Sequence, residues 1–448
     1  MTLRFGTDGV RGVANRDLTP ELVTALGRAA ARVIGNEQPF LVGRDTRRSG
    51  PMIEAALIAG LCSEAVDVER AGVIPTPGLA YLAQVRDAPA AMISASHNPF
   101  PDNGVKLFAA GGRKIPDDDE RQVEGELREL AKKAPTGGPE GADVGYDRKI
   151  SGGIKEYVGH LVGALEGRRL DALAVAVDCG HGAAFDVAPR ALEELGAGVE
   201  VHNVRPTGTN INAGCGSTDP SELQAAVVEG GANAGLAFDG DADRVIAVDE
   251  RGELVDGDQM LAVLALDLRD RERLRGDAVV ATVMSNLGLR RALEQNGIRY
   301  LETPIGDRNV LAALEAEDLS LGGEQSGHVI LTDLATTGDG TLTGILLLDV
   351  MARTGKPLSE LAGAVTRMPQ VLQSVEVDDQ ARLGRDDDFR TALDDAQSEL
   401  GADGRVVVRP SGTEPVVRVM VEAPTQEQAE AVASRLATAV ERACGAAG

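Results

Sequence analysis

FLVGRDTRRSGPMIEAALIAGLCSEAVDVERAGVIP occupies residues 40–75. This stretch contains the pattern from which the fold class can be predicted. It begins with a short apolar run and a polar loop that contains glycine. An apolar segment of helical length, a second short run and a proline follow in that order. The pattern predicts a strand that enters the loop, a helix near 51–64 and a second strand at 66–72. These elements form the β–α–β unit that is typical of α/β proteins.

The same order of elements recurs twice further along the chain. LAVAVDCGHG at 173–182 precedes a predicted helix near 186–195 and the strand VEVHNV at 199–204. DAVVATVMSN at 277–286 precedes a predicted helix near 287–296 and the strand IRYLET at 298–303. Few residues are identical between the three segments. We therefore expect a repeated architecture and not a repeated sequence.

The C-terminal part of the chain has a different pattern. DDFRTALDDAQSELG and TQEQAEAVASRLATAVERA predict helices, and RVVVRPSGTEPVVRVMVEA between them predicts two strands joined by a loop. Stretches rich in glycine and proline or with a change of pattern indicate boundaries near 134–153, 251–258 and 366–380. We expect three α/β domains with mixed sheets and one small α+β domain, at 1–150, 151–252, 253–368 and 369–448.

The composition fits this architecture and limits the partners. Of the 448 residues, 43% are hydrophobic and 2% aromatic, so the cores must consist of Val, Leu, Ile and Ala, as in parallel sheets. The net charge of −25 argues against binding nucleic acid or an anionic membrane, although a few local cations can still bind an anionic substrate. The four cysteines match no zinc pattern, MTLRFGTDGV has no apolar core of signal-peptide length, and no window approaches the length of a membrane span. We expect a soluble cytoplasmic protein.

The first of four polar loops that could carry chemistry is Ser94-Ala95-Ser96-His97-Asn98-Pro99, which follows an apolar strand. A serine in such a rigid turn can act as a nucleophile or carry a phosphate group. Alternatively, its side chains bond only to the backbone of the turn. A Ser-His-Asp hydrolase is disfavoured because adjacent Ser and His side chains rarely face each other and no GxSxG motif is present. The residues themselves do not decide between Ser94 and Ser96.

The second loop is Asp239-Gly240-Asp241-Ala242-Asp243-Arg244. Its carboxylates repel one another unless a cation lies among them, and Mg²⁺ or Ca²⁺ prefers such oxygen ligands. An EF-hand is excluded because Arg244 stands where that loop needs glycine and because a strand, VIAVD, follows. An acidic turn without a metal is the alternative.

The third loop is GGEQSGH at 322–328. It offers a carboxylate, a hydroxyl and an imidazole group, which can bind the hydroxyl groups of a sugar as donors and acceptors. By itself it could equally be an ordinary polar loop.

The fourth loop is RPSGTEP at 409–415, with Arg418 close behind. Arginine side chains, hydroxyl groups and exposed backbone N–H groups form phosphate-binding sites. The alternative is a polar hairpin turn. Together, the four loops supply the parts of phosphoryl transfer: an acceptor, a cation, hydroxyl ligands and a phosphate clamp.

On these motifs the chain resembles the α-D-phosphohexomutase superfamily. The resemblance extends from FGTDGVRG at 5–12 to RPSGTEPVVRVMVE at 409–422, with all four loops in the family order. ISASHNPFPDNGVK at 93–106, CGSTDP at 215–220 and TTGDG at 336–340 resemble the branch that acts on glucosamine phosphates. The resemblance implies four domains around a central cleft, three of them related α/β domains and the last a small α+β domain.

The resemblance also implies roles for individual residues, and it selects Ser96 over Ser94 as the phosphoserine. A phosphoserine oxygen would bind Mg²⁺ together with Asp239, Asp241 and Asp243. Arg11, His97, Lys106 and Arg244 would surround the transferring phosphate. Glu324, Ser326 and His328 would contact the sugar. The phosphate that does not react would be bound by Arg409, Ser411, Gly412, Thr413 and Arg418.

The implied reaction consists of two transfers. Phosphoserine gives its phosphate to the C1 hydroxyl of glucosamine 6-phosphate, the 1,6-bisphosphate turns around, and its 6-phosphate returns to the serine. The implied cofactors are one Mg²⁺ per active site and a sugar 1,6-bisphosphate as activator. The implied partners are a small phosphosugar and a kinase that could first charge the serine, for a monomer or homodimer that binds neither nucleic acid nor membranes.

Three alternatives remain open. The substrate could be a mannose or glucose phosphate, the enzyme could be a Mg²⁺-dependent sugar phosphatase, or the protein could be a catalytically silent sensor. Two positions depart from the pattern of the family: His181 stands where Asn is common, and Asn309 where Tyr is common. Both bear on the fit of the sugar more than on the type of reaction.

Overall fold

The computed structural model describes residues 6, 9–132, 137–411 and 415–445. The chain divides into two compact units. The first comprises Met1–Thr282 and Leu301–Gly363, and the second comprises Val283–Tyr300 and Ala364–Gly448. Within the described residues, three mixed sheets and one small antiparallel sheet are present, which confirms the predicted fold class.

The first sheet is built from β1 (Val10–Val13), β2 (Phe40–Arg44), β3 (Val68–Val73), β4 (Ala90–Ile93), β5 (Asp102–Phe108) and β6 (Asp147–Lys149). In space the order is β1-β5-β4-β2-β3-β6, with β2 parallel to β3 and β4, and β5 antiparallel to β4. The helices of this region are α1 (Pro20–Ile34), α2 (Gly50–Cys62), α3 (Thr76–Arg86), α4 (Asp117–Lys132) and α5 (Gly153–Gly163). The predicted unit at 40–75 is confirmed as β2, α2 and β3.

Strand β2 is buried on both faces. Phe40 and Val42 pack in one core cluster with Leu57 of α2, whereas Leu41 packs in another with Leu79 of α3. This follows from the alternation of side chains along a strand, since helices cover both sides of the sheet. Burial of each large aliphatic side chain contributes about 1.5–3 kcal/mol. The buried sheet therefore fixes the positions of the loops at its edge.

The second sheet contains β7 (Ala174–Asp178), β8 (Gly198–His202), β9 (Ala234–Phe238), β10 (Val245–Asp249) and β11 (Leu254–Val255), in the order β11-β10-β9-β7-β8. Its helices are α6 (Val187–Glu194) and α7 (Ser221–Gly230).

The third sheet contains β12 (Ala278–Thr282), β13 (Arg299–Thr303), β14 (Leu321–Gly323) and β15 (Val329–Leu331), in the order β13-β12-β14-β15. The helices around it in sequence are α8 (Gly257–Asp270), α9 (Leu287–Gln295), α10 (Asp307–Ala316), α11 (Gly340–Thr354) and α12 (Leu358–Ala362).

Three of the polar loops occupy the same topological position in three sheets. Strands β4, β9 and β14 lie parallel to β2, β7 and β12 respectively. Each is followed by an antiparallel neighbour: β5, β10 or β15. The loops that join these antiparallel pairs are residues 94–101, 239–244 and 324–328. The repeated architecture predicted from the sequence thus places three chemically different loops at equivalent points.

The second unit consists of a small sheet with helices. It contains β16 (Gln370–Glu376), β17 (Arg405–Pro410) and β18 (Val416–Glu422) in the antiparallel order β16-β18-β17, with α13 (Asp387–Leu400) and α14 (Gln426–Cys444). Helix α9 belongs to this unit. Asn286, the N-cap residue directly before α9, exchanges hydrogen bonds with the backbone of Met368 at 3.0 and 2.9 Å.

In the described parts of the chain, no helix is both long enough and apolar enough to cross a membrane.

Candidate active site

Ser96 lies at the turn after β4, with its side chain buried and its backbone in the left-handed region at φ 52°. That conformation costs a residue other than glycine roughly 1–3 kcal/mol. The Ser96 hydroxyl donates to Asp239 Oδ2 at 2.5 Å and lies 3.4 Å from His97 Nδ1. The serine therefore faces residues 239–244 of the second sheet, which we call the acidic loop.

Ser94, the other candidate serine, is used inside its own loop. Its hydroxyl donates to Asp45 Oδ2 at 2.7 Å and accepts from the backbone N–H of Ser96 at 2.9 Å. Both hydrogen bonds hold the turn in shape. The two serines, equivalent in the sequence, thus have different surroundings, and only Ser96 faces the carboxylate cluster.

The acidic loop joins β9 and β10 and brings three buried carboxylates together. One oxygen each of Asp239, Asp241 and Asp243 lies within 4.8 Å of the others. Burial, followed by the charges of Asp243 and Asp241, raises the pKa of Asp239 well above its usual value. Asp241 Oδ1 is buried without a hydrogen-bond partner among the described residues. This donor set fits a small divalent cation, which takes oxygen ligands and would remove the repulsion.

Lys106 of β5 compensates part of this negative charge. Its side chain is 1% exposed, and Nζ lies 2.8 Å from Asp241 Oδ2 and 3.3 Å from Asp243 Oδ2. The Thr76 hydroxyl, at the start of α3, donates to the same Asp241 oxygen at 2.6 Å. The first sheet therefore provides a cation and a hydroxyl group for a loop of the second sheet.

Arg244, Arg11 and His97 form the basic side of the site. Arg244 Nη1 lies 3.3 Å from His97 Nδ1, and because arginine can only donate, Nδ1 is the acceptor. Burial, followed by the charges of Arg244 and Arg11, lowers the pKa of His97 to about 4. The imidazole is therefore neutral near pH 7, with an unprotonated nitrogen toward the serine hydroxyl.

The loop at 94–101, which we call the serine loop, and the acidic loop approach each other closely at Gly240. A Cβ at this position would lie 2.6 Å from the carbonyl oxygen of Ser96, which is shorter than any allowed contact. Only glycine lets the two backbones come this near.

The third loop lies beside the acidic loop. Glu324 is half-buried and accepts from the backbone N–H of Gly306 at 3.1 Å, while Ser326 is exposed. His328 is 2% exposed. Its Nε2 accepts from the Gly338 N–H at 3.2 Å, and its Nδ1 lies 3.8 Å from Asp243 Oδ2. The predicted sugar residues therefore differ in their surroundings: Ser326 is exposed, Glu324 is half-buried, and His328 is buried against the acidic loop.

The fourth loop lies in the second unit, between β17 and β18. Arg409 and Arg418 are directly opposite each other in the register of these strands. Burial and the charge of Arg418 lower the pKa of Arg409. Two facing cations can bind an anion. Ser411 follows them and is buried, and Gly412 and Thr413 lie outside the described residues.

Four polar residues at the site were not singled out from the sequence: Asp45, Arg47, Thr76 and Asn212. Asp45 and Arg47 directly follow β2, and Thr76 closely follows β3. The carboxyl ends of parallel strands meet at one edge of a sheet, where ligands bind. That rule could have found these three residues. No local signal marks Asn212.

Comparison with known proteins gives matches over the whole chain. Family profiles described as phosphoglucomutase/phosphomannomutase alpha/beta/alpha domains I, II and III match residues 2–134, 155–252 and 256–368. The profile of the C-terminal domain of that family matches residues 372–439. A protein named phosphoglucosamine mutase from Streptomyces griseus is 53% identical, and the match covers 98% of this chain and 99% of the relative.

Solved structures match as well. A phosphoglucomutase/phosphomannomutase family protein from Burkholderia thailandensis is 26% identical with a TM-score of 0.81, over 98% of both chains. N-acetylphosphoglucosamine mutase from Aspergillus fumigatus, solved with GlcNAc-6P and magnesium, is 19% identical with a TM-score of 0.72, over 99% of this chain and 96% of that one. At this identity, the second match shows a common fold.

Proposed function

The chain belongs to the phosphoglucomutase/phosphomannomutase family, and we propose that it interconverts glucosamine 6-phosphate and glucosamine 1-phosphate with Ser96 as phosphate carrier. Relatives named phosphoglucosamine mutase are 51–53% identical over nearly the full length, so the enzyme is an isomerase of the mutase type. The observation that carries the proposed role of Ser96 is its hydroxyl, 2.5 Å from Asp239 within the carboxylate cluster.

A metal ion completes the proposed site. Asp239, Asp241 and Asp243 would hold it together with an oxygen of the phosphorylated serine. We assign Mg²⁺ because the donors are all oxygens and because the Aspergillus enzyme was solved with magnesium. When bound, Mg²⁺ supplies positive charge that neutralises the transferring phosphate.

The residues of the chain itself orient the reactants. In the first transfer, the bond between phosphorus and Ser96 Oγ breaks, a bond between phosphorus and the sugar O1 forms, and the O1 proton ends on Oγ. In the second, the bond between phosphorus and the sugar O6 breaks, a bond between phosphorus and Ser96 Oγ forms, and the Oγ proton ends on O6. His97, whose Nδ1 lies 3.4 Å from Oγ and accepts from Arg244, would hold Arg244 beside the serine side chain and the transferring phosphate. Lys106, Arg244 and Arg11 would stabilise the charge on the phosphate oxygens.

The remaining loops would bind the sugar phosphate at a distance from the reaction. Glu324 and Ser326 have polar groups suited to sugar hydroxyls, and His328 would act in the same loop. Arg409 and Arg418, with Ser411, Gly412 and Thr413, would bind the phosphate that does not react. We propose a sugar 1,6-bisphosphate as the activator, because the bisphosphate can recharge a serine that has lost its phosphate.

An intact-mass measurement of the purified protein tests the proposal. We expect one extra phosphate, which Ser96→Ala removes and Ser94→Ala retains. Ser96→Ala should abolish turnover in a coupled assay for glucosamine 1-phosphate while the unfolding temperature is preserved. Near-normal activity of Ser96→Ala would refute the role of the serine.

The same assay separates the alternatives. A clear preference for mannose 1-phosphate or glucose 1-phosphate would contradict the assignment of the amino sugar. Stoichiometric release of inorganic phosphate, without any need for a bisphosphate, would indicate a phosphatase.

A further inference from the structure

Arg47 is a buried arginine whose hydrogen bonds converge on the serine loop. Its side chain is fully buried, and Nε donates to Asp45 Oδ2 at 2.9 Å. The other donors of the guanidinium reach carbonyl oxygens of the loop between β4 and β5 and of the first residue of β5. Nη1 donates to Pro99 at 2.6 Å and Asp102 at 3.0 Å, and Nη2 donates to Ser96 at 2.8 Å and Asn98 at 2.7 Å. All five N–H donors of the guanidinium are therefore in use.

Asn212 reaches the same loop from the second sheet. It lies in the segment after β8, and its Nδ2 donates to the carbonyl oxygens of Ser96 at 2.9 Å and Asn98 at 3.3 Å. These are the two oxygens that Arg47 Nη2 also contacts. The carbonyl of Ser96 thus accepts two hydrogen bonds from two different sheets.

Asp45 connects this arrangement to the N–H group of the serine. Its Oδ2 accepts from both Arg47 Nε and the Ser94 hydroxyl, and the Ser94 hydroxyl accepts from the N–H of Ser96. Both polar backbone groups of Ser96 are therefore fixed, the carbonyl by Arg47 and Asn212, and the N–H through Ser94. This fixes the residue in its left-handed conformation, which aims Oγ at Asp239.

We propose that Arg47 and Asn212 are positioning residues, which hold the phosphorylated Ser96 so that its phosphate is transferred to the sugar and not to water. The inference rests on the proposed role of Ser96. A phosphate held in line with the sugar hydroxyl reacts with it faster than a mobile one, whereas a mobile one meets water more often. In that side reaction the bond between phosphorus and Oγ breaks, the water oxygen binds phosphorus, and a water proton goes to Oγ.

A purely structural role of Arg47 is the competing explanation. A buried Arg–Asp pair often contributes little net stability, because desolvation offsets the attraction. Here three of the five donors contact the loop that carries Ser96, a fourth contacts the first residue of β5, and a second side chain duplicates two of the loop contacts. The arrangement therefore constrains the geometry of one loop, and its removal should affect turnover in protein that is still folded.

The test compares Arg47→Lys, Asn212→Gly and Arg168→Lys with the wild-type protein. Lysine keeps the positive charge beside Asp45 but loses the planar set of guanidinium N–H donors. Glycine tolerates the positive φ of 56° at position 212. Arg168→Lys is the matched control. Arg168 binds the buried Asp349 at 2.9 Å, and this pair is distant from the site both in sequence and in its contacts. The measurements are kcat, KM, inorganic phosphate released per product formed, phosphoserine content by intact mass, and the unfolding temperature.

We expect kcat to fall about 10- to 100-fold in Arg47→Lys and Asn212→Gly, with KM within about threefold, and phosphate release per product to rise. The double variant should lose less than the product of the single effects, because both residues hold the same carbonyl oxygens. Arg168→Lys should lower only the unfolding temperature.

Wild-type kcat and phosphate release in folded, phosphorylated Arg47→Lys and Asn212→Gly would overturn the inference. If Arg47→Lys does not fold, Asn212→Gly decides alone. A wild-type protein that turns over without any phosphate on Ser96 would instead refute the proposed function.

Discussion

The hydroxyl oxygen of Ser96 lies 2.5 Å from Oδ2 of Asp239, although 143 positions separate the two residues in the chain. The contact joins the serine loop of the first sheet to the acidic loop of the second. Since these loops occupy equivalent positions in their sheets, the repeated architecture accounts for their meeting. The fold thereby brings the proposed phosphate carrier next to the proposed metal ligands.

Asp241→Asn should weaken the binding of Mg²⁺ at least about tenfold, because the site loses one of its carboxylates. In the wild-type protein, Mg²⁺ should raise the unfolding temperature, since a ligand that binds only the folded state stabilises it. Thermal unfolding with and without EDTA measures this effect. Asp249→Asn, at a buried carboxylate on β10 outside the cluster, is the control. An equal effect of Mg²⁺ on Asp241→Asn and the wild type would contradict the assignment of the site.

Lys106→Met should lower the free energy of unfolding in EDTA by about 3–5 kcal/mol, because removal of one partner leaves buried carboxylates uncompensated. Mg²⁺ should then restore more stability in the variant than it adds to the wild-type protein. Denaturant titrations with EDTA and with Mg²⁺ provide the two values. Lys114→Met removes a lysine that is paired with Asp307, so its stability loss should not respond to Mg²⁺.

Much of the architecture could be predicted from the sequence, because hydrophobic periodicity reports burial directly. Strand β2 and helix α2 lie close to their predicted positions. Phe40, Leu41 and Val42 form an uninterrupted apolar run, as expected of a strand buried on both faces. The candidate residues of the acidic loop could also be predicted, because the repulsion of Asp239, Asp241 and Asp243 is a local property of the sequence.

The contacts among the loops could not be predicted in this way. Arg47 and Arg48 are adjacent and chemically identical, yet Arg47 is fully buried and Arg48 is exposed. Only the packing of the serine loop onto β2 distinguishes them. His328 likewise stands in a polar, glycine-rich loop, and its burial depends on the approach of Gly338 and Asp243 from distant segments. Tertiary contacts of this kind leave no periodic signal in the sequence.

Asp339→Asn should remove a pH dependence of stability. Burial raises the pKa of Asp339 to about 6 from a usual value of 3.8, so the folded protein binds more protons than the unfolded chain between these values. The free energy of unfolding therefore falls as the pH rises through this window, by roughly 3 kcal/mol in total. Asparagine can still cap α11 by accepting from the Leu342 N–H, and it can donate to the hydroxyl of Tyr157.

The measurement is the difference in unfolding free energy between Asp339→Asn and the wild type at pH 4 and pH 8. We expect this difference to shift in favour of the variant as the pH rises, because only the wild type loses stability from this group. The comparison with the wild type cancels the other titrating groups. A difference that does not change with pH would show that Asp339 titrates normally.

Arg409→Gln should raise KM about 10- to 100-fold with a smaller effect on kcat, because it removes a charge-assisted hydrogen bond to the phosphate that Arg409 is proposed to bind. The same change removes the repulsion between Arg409 and Arg418, which face each other across β17 and β18. In phosphate-free buffer the variant should therefore be as stable as the wild type or more stable. Inorganic phosphate should raise the unfolding temperature of the wild type more than that of the variant. Arg435→Gln removes one positive charge on α14, where Arg435 is paired with Glu399, and should leave both KM and the phosphate effect unchanged. If the two variants behave alike, the facing arginines act only through net charge and the assignment of a phosphate site to them is wrong.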